Sequence, residues 1–356
     1  MAQQLTSRVQ FTAGWGRTTL ALSVAAVIML GSQYGTLALA APNGSVEGFE
    51  AKFVDVDGIR TRYYEVGEGE PMVLVHGSGF TGTASANTWT LNLGGLGERF
   101  HVFAADKLAS GMTDNPIADK DFTIRAEVEH MYQFIRTMGL EQIHLVGQSR
   151  GGGLAFLLAV NHPEIIKTLV IIDSSTAAPT AGDDRSHRRN RIFRGCPEDE
   201  NAVGDAFRCG QSALSYNTEQ VNDEYVAAAG YMWSQPKAQE TERRVTAEVR
   251  QHNTIVGSEM NHEAYHRILT ESVLNMPVML YWSQNDPSVL PMQGYSLYNI
   301  IAESNPRTWL LFTNNGGHFH YREHPEQFNR NVINFVTNWA DDEAPQRSGE
   351  ERRIRE

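Results

Sequence analysis

The sequence predicts an α/β protein with a mostly parallel, eight-stranded sheet, helices on both of its faces and one helical insertion. The first observation is that short apolar runs alternate with helical patterns, which is typical of strands buried between two helical layers. The second is that this alternation stops over residues 177–275 and then resumes. The third is the composition, because 41% of the 356 residues are hydrophobic and 20% are charged, as in globular chains.

The predicted strands begin with a hairpin. Residues 53–56 and 60–65 are rich in Val and Tyr, and Asp57-Gly58 between them predicts a tight turn. The later strands are the apolar runs 71–75, 101–105, 143–146, 169–172, 278–282 and 309–312.

Helices are predicted between the later strands. In the clearest of them, one face carries Val128, Met131, Ile135 and Met138, and the helix is expected to end at Gly139. A second helical run, 153–160, follows the strand 143–146.

The first forty residues have the features of a secretory signal peptide. Residues 1–40 contain Arg8 and Arg17 but no Asp, Glu or Lys, and an apolar stretch over 18–30 precedes Ala38-Leu39-Ala40. We therefore expect cleavage near Ala40 and export of residues 41–356 to the periplasm or the medium. The alternative is an uncleaved anchor, but the stretch is shorter than the ~20 residues that a spanning helix needs.

Charge and cysteine content exclude several classes of protein. The formal net charge of −12 argues against general nucleic-acid binding. Two cysteines cannot build a disulfide scaffold or a cysteine-rich zinc site. Cys196 and Cys209 lie in one polar stretch, and we expect them to pair in an oxidising compartment.

The insertion over 177–275 is predicted to be a helical lid over the carboxyl edge of the sheet, where open α/β sheets bind ligands. It separates the two parts of the core, 41–176 and 276–340. Within it lie a basic run at 185–194, an acidic run at 198–200 and the aromatic patch Tyr231-Met232-Trp233. The polar tail 341–356 is expected to be disordered.

A serine nucleophile is predicted at residue 149. The segment Gly147-Gln148-Ser149-Arg150-Gly151 lies between a predicted strand and a predicted helix. In that setting G-x-S-x-G forms a tight turn that exposes the serine hydroxyl above the sheet. The glycines are needed because side chains there would collide with the neighbouring strand and helix.

A serine hydroxyl needs a base, and His318 is the predicted one because Gly316-Gly317-His318 follows the last strand. His320 and His324 are near in the sequence, and the spacing His318-x-His320 leaves a metal site as a minor alternative. No cysteine lies near these histidines in the sequence to complete a zinc site. His162 is expected to cap a helix, and His76 is expected to be structural.

The base in turn needs a carboxylate. Asp286, which follows the strand before His318, is the predicted residue, so that the chain order is Ser149, Asp286, His318. Asp173 remains the rival, because it ends the strand after the predicted serine helix and reaches the same sheet edge.

Acyl transfer also needs donors for a developing oxyanion. The backbone N–H of Arg150 is one predicted donor, and Ser78 or Gly79 in the turn after strand 71–75 supplies the other. The Arg150 side chain is expected either to contact an acidic substrate or, as the favoured alternative, to form an ion pair with an acidic residue of the insertion.

These motifs resemble the α/β-hydrolase superfamily over about residues 50–340, outside the insertion. Four stretches are most similar to meta-cleavage product hydrolases, which cleave carbon–carbon bonds in ring-fission products. They are LVHGSG at 74–79, ANTW at 86–89, the region around 113–116, and GGHFHYREHPEQFNRNVINFV at 316–336. The resemblance implies the α/β-hydrolase fold and a Ser149, Asp286, His318 triad.

The chain departs from that family's pattern at several positions. Arg150 stands where the family usually has Met, and Phe319 where it usually has Trp. Ala229 aligns with the substrate-gripping Arg of the family's lid, and the turn at 108–111 lacks the usual glycines. The resemblance therefore implies the fold and the triad, but not the bond that is cleaved.

Three hypotheses for function follow. The first is a serine esterase that forms an acyl-enzyme on a small organic molecule, without metal or organic cofactor. The second is hydrolysis of a carbon–carbon bond at the same site. The third is a binding protein that has lost catalysis. The oligomeric state is not encoded in any pattern that we recognise.

Overall fold

The computed structural model describes residues 44–46, 48–179, 185–197 and 202–339. The predicted signal peptide and its cleavage site near Ala40, the acidic run at 198–200 and the tail at 341–356 lie outside the described residues. Within the described ranges, every helix is either too short or too polar to cross a membrane.

The strands form one eight-stranded sheet in the order β1-β2-β4-β3-β5-β6-β7-β8. β2 is antiparallel to both of its neighbours, and the other pairs are parallel. This confirms the predicted hairpin and the mostly parallel sheet. The strands are β1 Lys52–Val56, β2 Ile59–Val66, β3 Glu70–Val75, β4 Phe100–Ala105, β5 Ile143–Gln148, β6 Ile166–Ile172, β7 Val278–Ser283 and β8 Thr308–Thr313.

The helices cover both faces of the sheet, as predicted. In β3, Val73 and Val75 join one apolar cluster while Met72 and Leu74 join another, because successive side chains of a strand point to opposite faces. The helices are α1 Thr90–Gly97, α2 Ile124–Thr137, α3 Arg150–Asn161, α4 Arg185–Ile192, α5 Val203–Leu214, α6 Asp223–Trp233, α7 Pro236–Arg244, α8 Ala247–Glu271, α9 Pro291–Ser304, α10 His320–Glu323 and α11 Pro325–Asn334.

Helix α2 has the buried face that its apolar spacing predicts. Val128, Met131 and Ile135 are buried, whereas Met138 lies just beyond the helix and is half-buried. Gly139 follows with a φ of +70°, the left-handed geometry in which glycine commonly ends a helix.

The insertion between β6 and β7 is helical in the part that the structure describes, with α4 to α8. The long helix α8 packs against the core. Its residues Met260, Ala264 and Ile268 are buried in the same apolar cluster as residues of α2, α3 and α9. The insertion is thus anchored on one sheet face by its last helix.

Cys196 and Cys209 form a disulfide, which confirms the expected pairing. The bridge joins the segment after α4 to helix α5. Both helices belong to the insertion, so the bond restrains two parts of the insertion relative to each other.

Replacing both cysteines with serine is expected to lower the free energy of unfolding by about 3 kcal/mol, because the bridge restricts the unfolded chain. Denaturation curves of the double variant and of the wild-type protein, both under oxidising conditions, measure the difference. Wild-type protein in reductant is the control and should behave like the double variant. An unchanged midpoint in both would contradict this expectation.

Candidate active site

Ser149 lies in a sharp turn between β5 and α3. Its backbone has φ 54° and ψ −124°, a left-handed geometry that is strained for any residue with a side chain. The turn is held because the Ser149 N–H donates to the Ile172 carbonyl at 2.8 Å and the Ser174 hydroxyl donates to the Ser149 carbonyl at 2.6 Å. The hydroxyl-bearing residue is thereby fixed at the carboxyl edge of the sheet.

The glycines around Ser149 are required by close backbone contacts. A Cβ on Gly151 would lie 2.3 Å from the His76 carbonyl oxygen and 2.4 Å from that of Val75. A Cβ on Gly147 would lie 2.3 Å from the Gly151 carbonyl oxygen. This agrees with the steric reason that the sequence pattern gives for these positions.

Gly151→Ala is expected to destabilise the fold by about 1–3 kcal/mol, because the new methyl group meets backbone atoms of β3 and the turn after it. Thermal unfolding followed by circular dichroism measures the change. Gly94→Ala is the matched control, because this glycine is also helical and a Cβ there meets nothing within 4 Å. An unfolding temperature for Gly151→Ala equal to that of Gly94→Ala would refute the steric explanation.

His318 and Asp286 are brought together by the loops after β8 and β7. The Nδ1 of His318 lies 2.5 Å from Oδ2 of Asp286, and both residues are buried. The other oxygen of Asp286 accepts hydrogen bonds from the backbone N–H groups of Ser288 and Val289 at 2.6 and 3.0 Å. The carboxylate is thus fixed, and it holds the Nδ1–H tautomer of His318.

Ser149 and His318 line the same cavity, which has a volume of about 670 Å³. Gln148 links their loops, because its Nε2 donates to the His318 carbonyl oxygen at 3.1 Å. Much of the cavity wall is aromatic, and its members are Phe80, Phe193, Phe207, Tyr225, Trp233 and Phe319. Its walls come from both the core and the insertion.

Asp173 lies in the same cluster, but burial shifts its pKa. A carboxylate oxygen of Asp173, a carboxylate oxygen of Asp286 and a ring nitrogen of His318 all lie within 4.8 Å of one another. Burial, together with the neighbouring charge of Asp286, raises the pKa of Asp173 well above its ordinary value. Both effects favour the protonated form of Asp173, and the group hydrogen-bonded to the His318 ring is Asp286.

The three residues predicted to surround an oxyanion also line the cavity. Ser78 has a φ of +64° and sits with Gly79 in the turn after β3. Arg150 is the first residue of α3, and the first N–H groups of a helix have no partner within that helix. The three positions thus lie around one space beside Ser149.

The expected ion pair of Arg150 exists, but its partner is not in the insertion. Its guanidinium contacts Glu127 of α2, with Nε at 2.9 Å and Nη2 at 2.6 Å from one carboxylate oxygen. Among the residues of the insertion that the structure describes, Asn253 contributes an amide, whose Oδ1 lies 3.2 Å from Nη2. The prediction was wrong about the partner because α2 packs directly beside α3.

Four other histidines that the sequence analysis considered have structural surroundings. His76 is buried, and burial lowers its pKa well below the ordinary value. His162 follows α3 and stacks on Tyr132 with ring centroids 3.8 Å apart. Burial lowers the pKa of His320 to about 3, and its ring packs on Tyr281. Nε2 of His324 hydrogen-bonds to the Asn315 carbonyl at 2.8 Å.

The cluster of Asp173, Asp286 and His318 also offers the donor types that a metal ion uses. A zinc ion bound to both atoms of the His318–Asp286 pair would hold them about 3.3 Å apart. The observed 2.5 Å is a hydrogen-bond distance.

Two contacts around His318 have no signal in the sequence. Its backbone N–H donates to the carbonyl of Leu214 in the insertion at 2.8 Å. Glu323 accepts from the N–H of Gly317 at 2.8 Å and from that of Asn217 at 2.7 Å. The loop that carries His318 is therefore bound to the insertion, a long-range pairing that no local pattern could reveal.

Two departures from the family pattern can now be located. Phe319 lines the cavity next to His318. Ala229 is buried in α6.

Comparison with known proteins gives a consistent family. The alpha/beta hydrolase fold family matches residues 70–325. A 2-hydroxy-6-oxo-6-(2'-aminophenyl)hexa-2,4-dienoic acid hydrolase of Metapseudomonas resinovorans is 24% identical over 83% of this chain and 94% of its own length. A 2-hydroxymuconate semialdehyde hydrolase of a Pseudomonas species is 39% identical, but over 33% of this chain and 41% of its own length.

Solved structures share the fold at low identity. A meta-cleavage product hydrolase from Pseudomonas fluorescens has a TM-score of 0.62 at 24% identity, covering 80% of this chain and 96% of that one. A putative lipase from Acinetobacter baumannii has a TM-score of 0.65 at 19% identity, covering 88% and 99%. Both structures share this fold, but one is named a meta-cleavage product hydrolase and the other a putative lipase.

Proposed function

This chain belongs to the alpha/beta hydrolase fold family of enzymes, and from that premise we propose that it hydrolyses a carboxylic ester of a small organic molecule. Ser149, His318 and Asp286 act as its catalytic triad. The observation that carries the proposal is the hydrogen-bonded His318–Asp286 pair on the cavity that Ser149 also lines.

The first half-reaction forms an acyl-enzyme. Because Nδ1–H of His318 donates to Asp286, the unprotonated Nε2 is available to take the proton of the Ser149 hydroxyl. The serine oxygen attacks the ester carbonyl, and the imidazolium returns its proton to the departing alcohol. Asp286 stabilises the imidazolium while it carries the charge.

The oxyanion is bound by backbone N–H groups. The N–H of Arg150 is one donor, and an N–H of the turn at Ser78 or Gly79 is the other. Each such donor lowers the barrier by about 3–4 kcal/mol because it is already oriented before charge develops. Water, deprotonated by His318, then attacks the acyl-enzyme and releases the acid.

Residues 177–275 act as a lid over this site. Phe193, Phe207 and Tyr225 of the insertion line the same cavity as Ser149 and His318. A small substrate with an apolar or aromatic part fits such a wall. Because four of the six aromatic residues that line the cavity belong to the lid, the lid selects the substrate.

Hydrolysis of a carbon–carbon bond is the second candidate. It is supported by the names of the relatives and by two basic residues of the insertion, Arg189 and Arg250, that line the cavity. An acidic ring-fission product would place its carboxylate near such charges. The same triad would serve, because cleavage also needs an activated serine and an oxyanion site.

A substrate panel distinguishes the two candidates. Purified protein is assayed against p-nitrophenyl esters, lactones and ring-fission dienones, with Ser149→Ala as the blank. We expect Ser149-dependent turnover of esters to exceed that of dienones. Turnover of dienones alone would replace the first candidate by the second, and no Ser149-dependent turnover of any compound would contradict both.

We also propose that the protein is exported to the periplasm or the medium after cleavage near Ala40. The Cys196–Cys209 disulfide supports this, because such bonds persist in oxidising compartments. Fractionation of expressing cells, with sequencing of the amino terminus, is expected to find a chain beginning at Ala41 outside the cytoplasm. A cytoplasmic chain that retains residue 1 would contradict the proposal.

A further inference from the structure

Behind the turn at Ser78 lies a fully buried lysine that the proposed reaction does not use. Lys107 follows β4, and its side chain has no solvent exposure. Its ammonium group donates to the Ser78 carbonyl oxygen at 2.7 Å and to a carboxylate oxygen of Glu127 at 3.0 Å. A cation is therefore aimed at the backbone of the turn.

The backbone of Lys107 holds the other end of the same turn. Its N–H donates to Nε2 of His76 at 3.0 Å. Because that nitrogen accepts, Nδ1 of His76 carries the proton and donates to the Gly77 carbonyl at 2.8 Å. One residue thus fixes the turn 76–79 at both ends.

Glu127 connects Lys107 with the residue after the serine. One of its oxygens accepts from Lys107, and the other accepts from Nε and Nη2 of Arg150. Burial alone would raise the pKa of Glu127, but the two cations lower it, so the carboxylate is charged. The two sides of the oxyanion site therefore share a single buried anion.

We propose that Lys107 is a positioning residue that holds the Ser78 turn and, through Glu127, the start of α3 at the separation the oxyanion requires. The inference rests on the proposed acyl-transfer function of Ser149. Lys107 touches no substrate. It acts through the turn, and so its contribution is greatest when charge develops on the substrate oxygen.

This role predicts a specific kinetic effect. Lys107→Met removes the bond to Ser78 but leaves Glu127 paired with Arg150, so no buried charge loses its only partner. Displacement of an oxyanion donor lowers kcat, whereas binding of the neutral ground state depends little on it. We expect kcat to fall about 10- to 100-fold with KM changed less than about threefold.

The test measures kcat and KM on a p-nitrophenyl ester, and the affinity for an alkylboronic acid that mimics the tetrahedral intermediate. Boronate affinity should fall in step with kcat, whereas affinity for an unreactive ether analogue of the ester, which carries no charged oxygen, should not change. The matched control is Lys167→Met, because Lys167 also pairs with a glutamate, Glu70, but at the surface. It should keep wild-type values.

Several outcomes would overturn the inference. They are wild-type kcat in Lys107→Met, or equal losses in the affinities for the boronate and for the ether analogue. Lys107→Gln, which keeps an N–H donor, serves if the Met variant does not fold, and its kcat should lie below that of the wild type. Failure of both to fold would assign Lys107 to the fold alone. Ser149→Ala is assayed in parallel, since wild-type activity in that variant would refute the function itself.

Discussion

Ser149→Ala is expected to abolish ester hydrolysis, with kcat reduced about 10⁴- to 10⁶-fold. The alanine lacks the oxygen that attacks the carbonyl, and nothing else in the proposed mechanism can form the acyl-enzyme. The fold should be unaffected, because the turn is held through the Ser149 N–H and carbonyl, which the substitution keeps. Steady-state kinetics on a p-nitrophenyl ester, with circular dichroism of both proteins, measures the loss.

Ser296→Ala is the matched control for that experiment. The Ser296 hydroxyl bonds only locally, to the Met292 carbonyl in α9, and does not line the cavity. Its activity should equal that of the wild-type protein. If Ser149→Ala kept more than about a tenth of the wild-type rate, another residue would have to be the nucleophile.

Asp286→Asn is expected to reduce kcat about 10⁴-fold. An amide at this position cannot balance the charge of the imidazolium, and it can favour the wrong tautomer of His318. Asp173→Asn is the matched control, because it alters a second carboxyl in the same buried cluster. Since Asp286, and not Asp173, is hydrogen-bonded to the His318 ring, this variant should keep kcat within about tenfold of the wild type. A larger loss in Asp173→Asn than in Asp286→Asn would exchange their roles.

The buried carboxyl of Asp173 also predicts that the free energy of unfolding depends on pH differently in the wild-type protein and in Asp173→Asn. The pKa of Asp173 is raised in the folded protein, so the unfolded chain loses this proton first as pH rises. Above the unfolded pKa of about 4, the free energy of unfolding therefore falls until pH passes the folded pKa. Asp173→Asn should remove that fall, which urea titrations at pH 5 and pH 8 would detect. An equal fall in both proteins would show that Asp173 is charged when folded.

Much of the fold could be predicted because its signals are local. Buried parallel strands such as 143–146 are continuous apolar runs, and the glycines at 147 and 151 mark a turn with no room for side chains. The mostly parallel sheet followed from the same alternation. His318 could be selected because it follows the last strand, at the edge where ligands bind.

What the sequence could not give is the packing between elements. The partner of Arg150 was expected in the insertion, yet Glu127 lies on a core helix beside α3. The choice between Asp286 and Asp173 likewise depended on which carboxyl meets the imidazole, a matter of loop geometry. Lys107 had a weak signal, because a charged residue two positions after the strand 101–105 lies at the same sheet edge as the site.

Covalent labelling tests the central claim most directly, because it needs no knowledge of the substrate. The claim is that Ser149 is activated by His318 and Asp286. Treated with a fluorophosphonate, the protein is expected to gain one adduct, on the peptide that contains Ser149. Labelling should be absent in Ser149→Ala and at least about 100-fold slower in His318→Asn. No adduct on the wild-type protein, an adduct on another residue, or an undiminished rate in His318→Asn would contradict the account.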